Sequence, residues 1–179
     1  MKTKDLLLCS LFAALVAVGA FIRIPVQPIA FTLQTELVLL TGLLLGPKRG
    51  AISIGVYVFL GLIGLPIFSA GGGIGYVLSP TFGYLPGFIV AAYLCGRLIT
   101  GQPSPGYRRL LAASLAGIAV IYLLGVTYFI AVSYLYIKQS AAVSALVIAN
   151  LLPFLPIDII LASGVAALAK RLLPVINNI

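Results

Sequence analysis

The chain has 179 residues, 62% of them hydrophobic and only 8% charged, with a mean hydropathy of +1.22. A soluble domain with a solvated surface does not tolerate such values. Eleven Lys and Arg against three acids give a formal net charge of +8, but the basic residues are scattered at helix ends without a continuous patch, a pattern of membrane orientation that argues against nucleic-acid binding.

Long continuous apolar runs, 110–136 among them, exclude the alternating strands of a membrane barrel, so the expected class is an all-α integral membrane protein. At about 20 residues per span the length accommodates six helices in one domain, 1–179, with no appended soluble module. Lys2 and Lys4 followed by the apolar run 6–20 resemble a signal peptide. An uncleaved first helix is expected instead, because the chain continues as further spans.

The first span is expected over about 6–22, stopped by Arg23, Pro25 and Pro28. A loop or re-entrant piece, 24–35, leads to a short span over about 36–45. Gly46-Pro47-Lys48-Arg49-Gly50 reads as a tight basic turn before a third span over about 51–68. Gly71, Gly72, Gly73 and Gly75 open a loop that runs to Pro80, and the fourth span is expected over 83–98. A polar linker, 100–109, precedes the fifth span over 110–135. The sixth begins near Pro156 and ends before Lys170 and Arg171, with 141–152 as an additional apolar approach. Cys9 and Cys95 both fall in apolar stretches, where cysteine acts as a small hydrophobe. Neither a disulfide nor a metal site is expected from two cysteines and no histidine.

Nine of the eleven basic residues fall at the amino terminus, the 46–50 turn, the segment from Arg97 to Arg109 and the carboxyl terminus. Only Arg23 and Lys138 remain for the other side. The positive-inside rule then makes both termini cytoplasmic, which requires an even number of spans. The proline-rich first loop, the glycine loop and the start of the last helix share the outer side, and a ligand pocket is expected there.

Asp158 stands at the start of the last span, where a carboxylate is costly unless it is used. It can accept hydrogen bonds from ligand N–H groups, or be a neutral carboxyl bonded to a backbone carbonyl. Glu36 is expected to form a solvated ion pair with Arg23. Gly72 and Gly73, with their glycine neighbours, allow close backbone approach and offer N–H groups that can cradle a carboxylate. Of the aromatic residues Phe31, Tyr76, Phe82 and Tyr84, only Tyr84, at a helix start after Pro80 and Gly83, stands out from an interfacial belt. Thr32 and Gln34 supply neutral hydrogen bonds or cap the second helix. On the first helix Ala13 and Ala17, with Ser10, Ala14 and Ala20, make a small-residue face against which another helix can pack. No catalytic residue is assigned: histidine is absent and the three carboxylates are scattered, which argues against a membrane enzyme.

Several segments resemble the BioY family, the biotin-binding S components of energy-coupling-factor transporters. They are Thr32-Leu33-Gln34-Thr35, Gly42-Leu43-Leu44-Leu45-Gly46-Pro47, Gly64-Leu65-Pro66-Ile67-Phe68 with the glycine loop, Pro80-Thr81 with Gly83-Tyr84, and Pro153-Phe154-Leu155-Pro156 followed by Asp158. The resemblance implies a six-helix subunit of a bacterial-type cytoplasmic membrane that captures biotin and works with a transmembrane coupling protein and two ATPases. It also implies that Ala13 and Ala17 mark where the coupling protein docks. Biotin would be the transported ligand, with no cofactor: its ureido N–H groups suit Asp158 and its carboxylate suits the glycine loop. The sequence departs from the family pattern at Ile157, Leu161 and Glu36. These departures leave open a related acyl ligand such as lipoate, and the autonomous transporter remains the competing class.

Overall fold

The computed structural model describes residues 2–24, 31–102, 104–137 and 142–178. The positions of Pro25, Pro28 and Lys138 lie outside the described residues. Six longer helices form the bundle: α1 (Thr3–Phe21), α2 (Gln34–Leu45), α3 (Pro47–Leu62), α4 (Tyr84–Ile99), α5 (Tyr107–Leu135) and α7 (Leu155–Asn178), with a short α6 (Val143–Leu151) before the last. A two-residue antiparallel ribbon, β1 (Arg23–Ile24) with β2 (Phe31–Thr32), bridges α1 to α2. Four stretches, Thr3–Phe21, Pro80–Ile99, Tyr107–Leu135 and Val143–Ile176, are long and apolar enough to cross a membrane.

Three boundaries depart from the sequence reading. The third helix begins at Pro47, because Gly46 alone makes the reversal with φ 78° and Pro47 suits a first helical position, where its missing N–H costs nothing. It ends at Leu62 rather than near 68. There Gly64, at φ 116°, and Pro66 turn the chain through an apolar sequence that hydropathy alone cannot divide. The last helix runs past Lys170 and Arg171 to Asn178, since long basic side chains carry their charge outward along an apolar helix without ending it.

At one end α2, α3 and α4 touch through their backbones. A Cβ on Gly42 would collide with the backbone of Ala92, and one on Gly96 with Gly46 and Pro47. Gly50 packs against Gly42, where an added Cβ would stand 3.1 Å from the Gly42 Cα. Between membrane helices the attraction comes from close contact rather than from expelled water, so these small residues let α2, α3 and α4 approach backbone to backbone. At the same end Ser53 Oγ donates to Cys9 O at 2.7 Å, the Cys95 thiol donates to Ala113 O at 3.2 Å, and Arg49 pairs with Asp5 at 2.8 Å. The basic ends of α1, α3, α4, α5 and α7 therefore gather together. Arg23 lies at the other end, where Nη1 donates to Ser69 O.

At that other end the bundle opens. α2 has 12 residues, about 18 Å at 1.5 Å per residue, and is the shortest of the six. The space left over is walled by α4, α5, α7 and the segment that follows α3.

Candidate functional site

The cleft over α2 encloses about 620 Å³ of empty space, counted out into its open mouth. Its walls come from three separated parts of the sequence. Phe31, Thr32, Gln34 and Thr35 arrive from β2 and α2; Ser69, Tyr76 and Thr81 from the segment after α3; Phe154 and Asp158 from the start of α7. α4 and α5 add Tyr84, Leu85, Phe88, Ile121 and Tyr122. The convergence of first loop, glycine-bearing segment and last helix matches the sequence expectation.

Asp158 is 3% exposed. Tyr122 donates to its Oδ2 at 2.7 Å, and Glu36 stands against the same carboxyl group from α2. The carboxyl group belongs to the cleft lining, in the first turn of α7. Tyr84 stands edge-on to Tyr122, ring centroids 6.2 Å apart, and its hydroxyl donates to Asn150 Oδ1 at 3.2 Å. Gly125 makes room for the Tyr84 ring: a Cβ there would stand 2.5 Å from it. Across the cleft Phe31 and Phe154 lie nearly parallel, 6.4 Å between centroids at 11°. The chamber therefore pairs flat apolar walls with a single carboxylate, an arrangement suited to a compact ring carrying N–H donors.

Neutral polar groups line the remaining wall. Gln34 accepts from Thr32 Oγ1 at 3.2 Å and donates Nε2–H to Tyr57 OH at 2.6 Å, and Tyr57 passes its own proton to Ile67 O at 3.0 Å. This relay fixes Gln34 and joins α2 to the turn after α3. No side chain caps the start of α2, so Thr32 and Gln34 serve the cleft and its relay instead. Tyr76 stands 3.3 Å from Ser69 Oγ and 3.1 Å from Thr81 Oγ1 through its hydroxyl, closing the rim.

Other expectations are corrected. Glu36 makes no ion pair with Arg23: it is 8% exposed and its carboxyl group stands against that of Asp158. Gly72 and Gly73 stand outside the cleft lining. Gly73 spends its N–H on Gly61 O at 2.7 Å, and a Cβ on Gly72 would strike Leu65 O; these glycines let the segment fold tightly over the end of α3. Phe31 and Tyr76, read as belt residues, line the cleft, whereas Phe82 packs on Tyr128. Ala13 is buried against the bundle and Ala17 is half-buried, while Ser10 and Ala14 are exposed.

Tyr122, Asn150 and Gly125 were not singled out from the sequence, and Phe154 entered only within the family-like segment 153–156. Tyr122 lies in an ordinary apolar run, and nothing local marks it. Asn150 carries a signal, since a buried amide inside an apolar helix requires a partner.

The sequence matches the BioY family over residues 1–178. It is 40% identical to the probable biotin transporter BioY of Lysinibacillus sphaericus over 99% of this chain and 90% of that protein. To the biotin transporter BioY of Thermotoga maritima it is 37% identical, over 94% of this chain and 95% of the other. The fold is similar to the crystal structure of the S-component for biotin from an ECF-type ABC transporter, with a TM-score of 0.81 and 28% identity over 96% of this chain and 91% of that one. With four membrane-capable stretches and transporters as its relatives, this multi-pass membrane protein belongs to the BioY family.

Proposed function

We propose that the chain is the substrate-capture subunit of an ECF-type importer and that its ligand is biotin. The observation that carries this reading is Asp158, anchored by Tyr122, in the lining of an aromatic-walled cleft. A cyclic urea presents N–H donors to such a carboxylate, its bicycle fills the space between Phe31, Phe154 and Tyr84, and its acyl chain points to the mouth. The names of the relatives support the same ligand.

The basic end of the bundle faces the cytoplasm in this reading, by the positive-inside rule, and the cleft opens outward across the plasma membrane. The chain lends its ligand to a transmembrane coupling protein and two ATP-binding subunits, whose ATP hydrolysis drives inward release. The alanine face of α1 is the docking surface. Because Ala13 is turned inward, Ser10 and Ala14 present the exposed small-residue stripe to the partner.

Equilibrium binding of biotin and, separately, of lipoate to the purified chain tests the ligand. Tight binding of biotin that Asp158→Asn weakens is the expected result; binding of lipoate alone would transfer the site to an acyl ligand without N–H donors. Sustained uptake by the isolated chain in vesicles would instead favour an autonomous transporter.

A further inference from the structure

Tyr84 lines the cleft, and its hydroxyl bonds to a residue that does not. Asn150, in α6, is 0% exposed and stands outside the lining. Its amide is used on both sides: Nδ2–H donates to Leu146 O at 2.6 Å, one helical turn back, and Oδ1 accepts from the Tyr84 hydroxyl at 3.2 Å. The two sides cannot be exchanged. A backbone carbonyl only accepts, so turning the amide over would set two oxygens against each other at Leu146. Oδ1 therefore faces Tyr84, and the single proton of the Tyr84 hydroxyl is given to Asn150.

The ring is held as well. Gly125 lies so close that an added Cβ would stand 2.5 Å from it, and Tyr122 packs edge-on with centroids 6.2 Å apart. With ring and proton both fixed, the Tyr84 oxygen keeps only lone pairs for a group that approaches it from the cleft. Tyr122 is in the same condition, its proton going to Asp158 Oδ2. The wall built by these two phenols offers acceptors and no donor, although a tyrosine hydroxyl can in general serve as either. A carbonyl or ether oxygen brought against it would face oxygen with oxygen, whereas an N–H would be paired.

Building on the biotin reading, we propose that Asn150 is a specificity-determining residue: by taking the Tyr84 proton it makes that hydroxyl an acceptor, and the cleft then selects ring ligands that bring an N–H to it. Asn150 touches no ligand and acts through Tyr84. Cyclic ureas and cyclic amides satisfy this wall. Cyclic carbamates with oxygen at that position, lactones and dithiolanes do not. Without Asn150 the hydroxyl is free to turn its proton into the cleft and serves either class.

The test uses biotin and the two cyclic carbamates in which one or the other ureido N–H is replaced by oxygen. Calorimetric affinities are measured on the purified chain, on Asn150→Leu, on Tyr84→Phe and on the double variant; leucine keeps the outline of asparagine without its hydrogen bonds. On the unmodified chain both carbamates are expected to bind at least about 10-fold more weakly than biotin, since an acceptor that pairs with N–H is left unpaired. Asn150→Leu should reduce that preference by about 10-fold for one carbamate, the one with oxygen toward Tyr84, and leave the other within about 3-fold. In the Tyr84→Phe background Asn150→Leu should alter neither ratio, which separates an effect through the hydroxyl from the packing of α6. Retained biotin binding reports that the variants are folded; if Asn150→Leu does not fold, Tyr84→Phe alone must lower the same single ratio, and an unchanged ratio there overturns the proposal. Carbamates that bind the unmodified chain as well as biotin, ratios that Asn150→Leu leaves unchanged, or ratios that it changes equally with and without the Tyr84 hydroxyl overturn this inference alone. Binding of neither biotin nor the carbamates by the unmodified chain overturns the biotin reading and this inference together.

Discussion

Tyr122, halfway along α5, donates its hydroxyl to Asp158 Oδ2 at 2.7 Å, and so fixes the carboxyl group on one side in the lining of the cleft. A carboxylate fixed on one side is already oriented when a ligand arrives, and binding need not repay that ordering. Replacement of Tyr122 by Phe removes a hydrogen bond to a charged group, worth about 1.5–3 kcal/mol. Biotin affinity should fall by about 10-fold or more with the cleft otherwise intact, and Asp158→Asn should cost at least as much. Isothermal titration on both variants checks the order; an unaffected Tyr122→Phe would mean that Asp158 is held by other means.

The buried relay from Gln34 through Tyr57 to Ile67 O makes a second prediction. Tyr57→Phe keeps the ring in its socket beside Phe68, whose centroid is 5.6 Å away, but strands an amide and a carbonyl. Leaving such groups unpaired costs about 1–3 kcal/mol. The unfolding temperature in detergent should drop, and ligand affinity should drop with it because Gln34 loses its anchor. A loss of stability with full affinity would show that Gln34 does not serve the ligand.

Gly96→Ala is expected to be strongly destabilising, because its new methyl would meet backbone atoms of Gly46 and Pro47 that have no side-chain freedom with which to yield. Overpacking of this kind costs about 1–3 kcal/mol or more. Gly55→Ala, with nothing within 4 Å of its Cβ, is the matched control and should be neutral or mildly stabilising. Thermal unfolding of the two variants side by side decides the matter.

The Arg49–Asp5 pair has side chains 46% and 22% exposed. Pairs of that kind contribute about 0–1 kcal/mol. Asp5→Asn should therefore leave the unfolding temperature nearly unchanged, and a large drop would assign the pair a role in clamping α1 to α3 that its exposure does not suggest.

On α1, a large residue at Ala14 should leave folding and ligand binding intact while preventing assembly with the coupling protein. The same change at the buried Ala13 should disrupt the bundle itself. Co-purification of Ala14→Trp with the coupling protein in normal yield would remove the outward face of α1 from the interface.

Much of this arrangement was legible in the sequence. The starts and stops of α1, α2, α4 and α5 follow from apolar run length, proline and glycine, and the three segments that meet in the cleft follow from the distribution of eleven basic residues. Asp158 was legible because a lone acid in an apolar stretch has few bland explanations. Glu36 was not. Its neighbour in the chain is Arg23, and only the packing of α2 on α7 shows that its real neighbour is Asp158. The end of α3 was hidden for a different reason: residues 63–68 are as apolar as the helix before them, and the turn is written in the backbone of Gly64 and Pro66 rather than in hydropathy. Glycines near a suspected site invited a ligand role, whereas Gly72 is required by the carbonyl of Leu65.

The contacts of Gly42 with Ala92 and of Gly96 with Pro47 leave the basic end of the bundle with backbones touching and no side chain between them to compress. A partner gripping the basic end would therefore meet helices that cannot slide past one another without breaking backbone contact, so that a push applied there moves α2, α3 and α4 as one body.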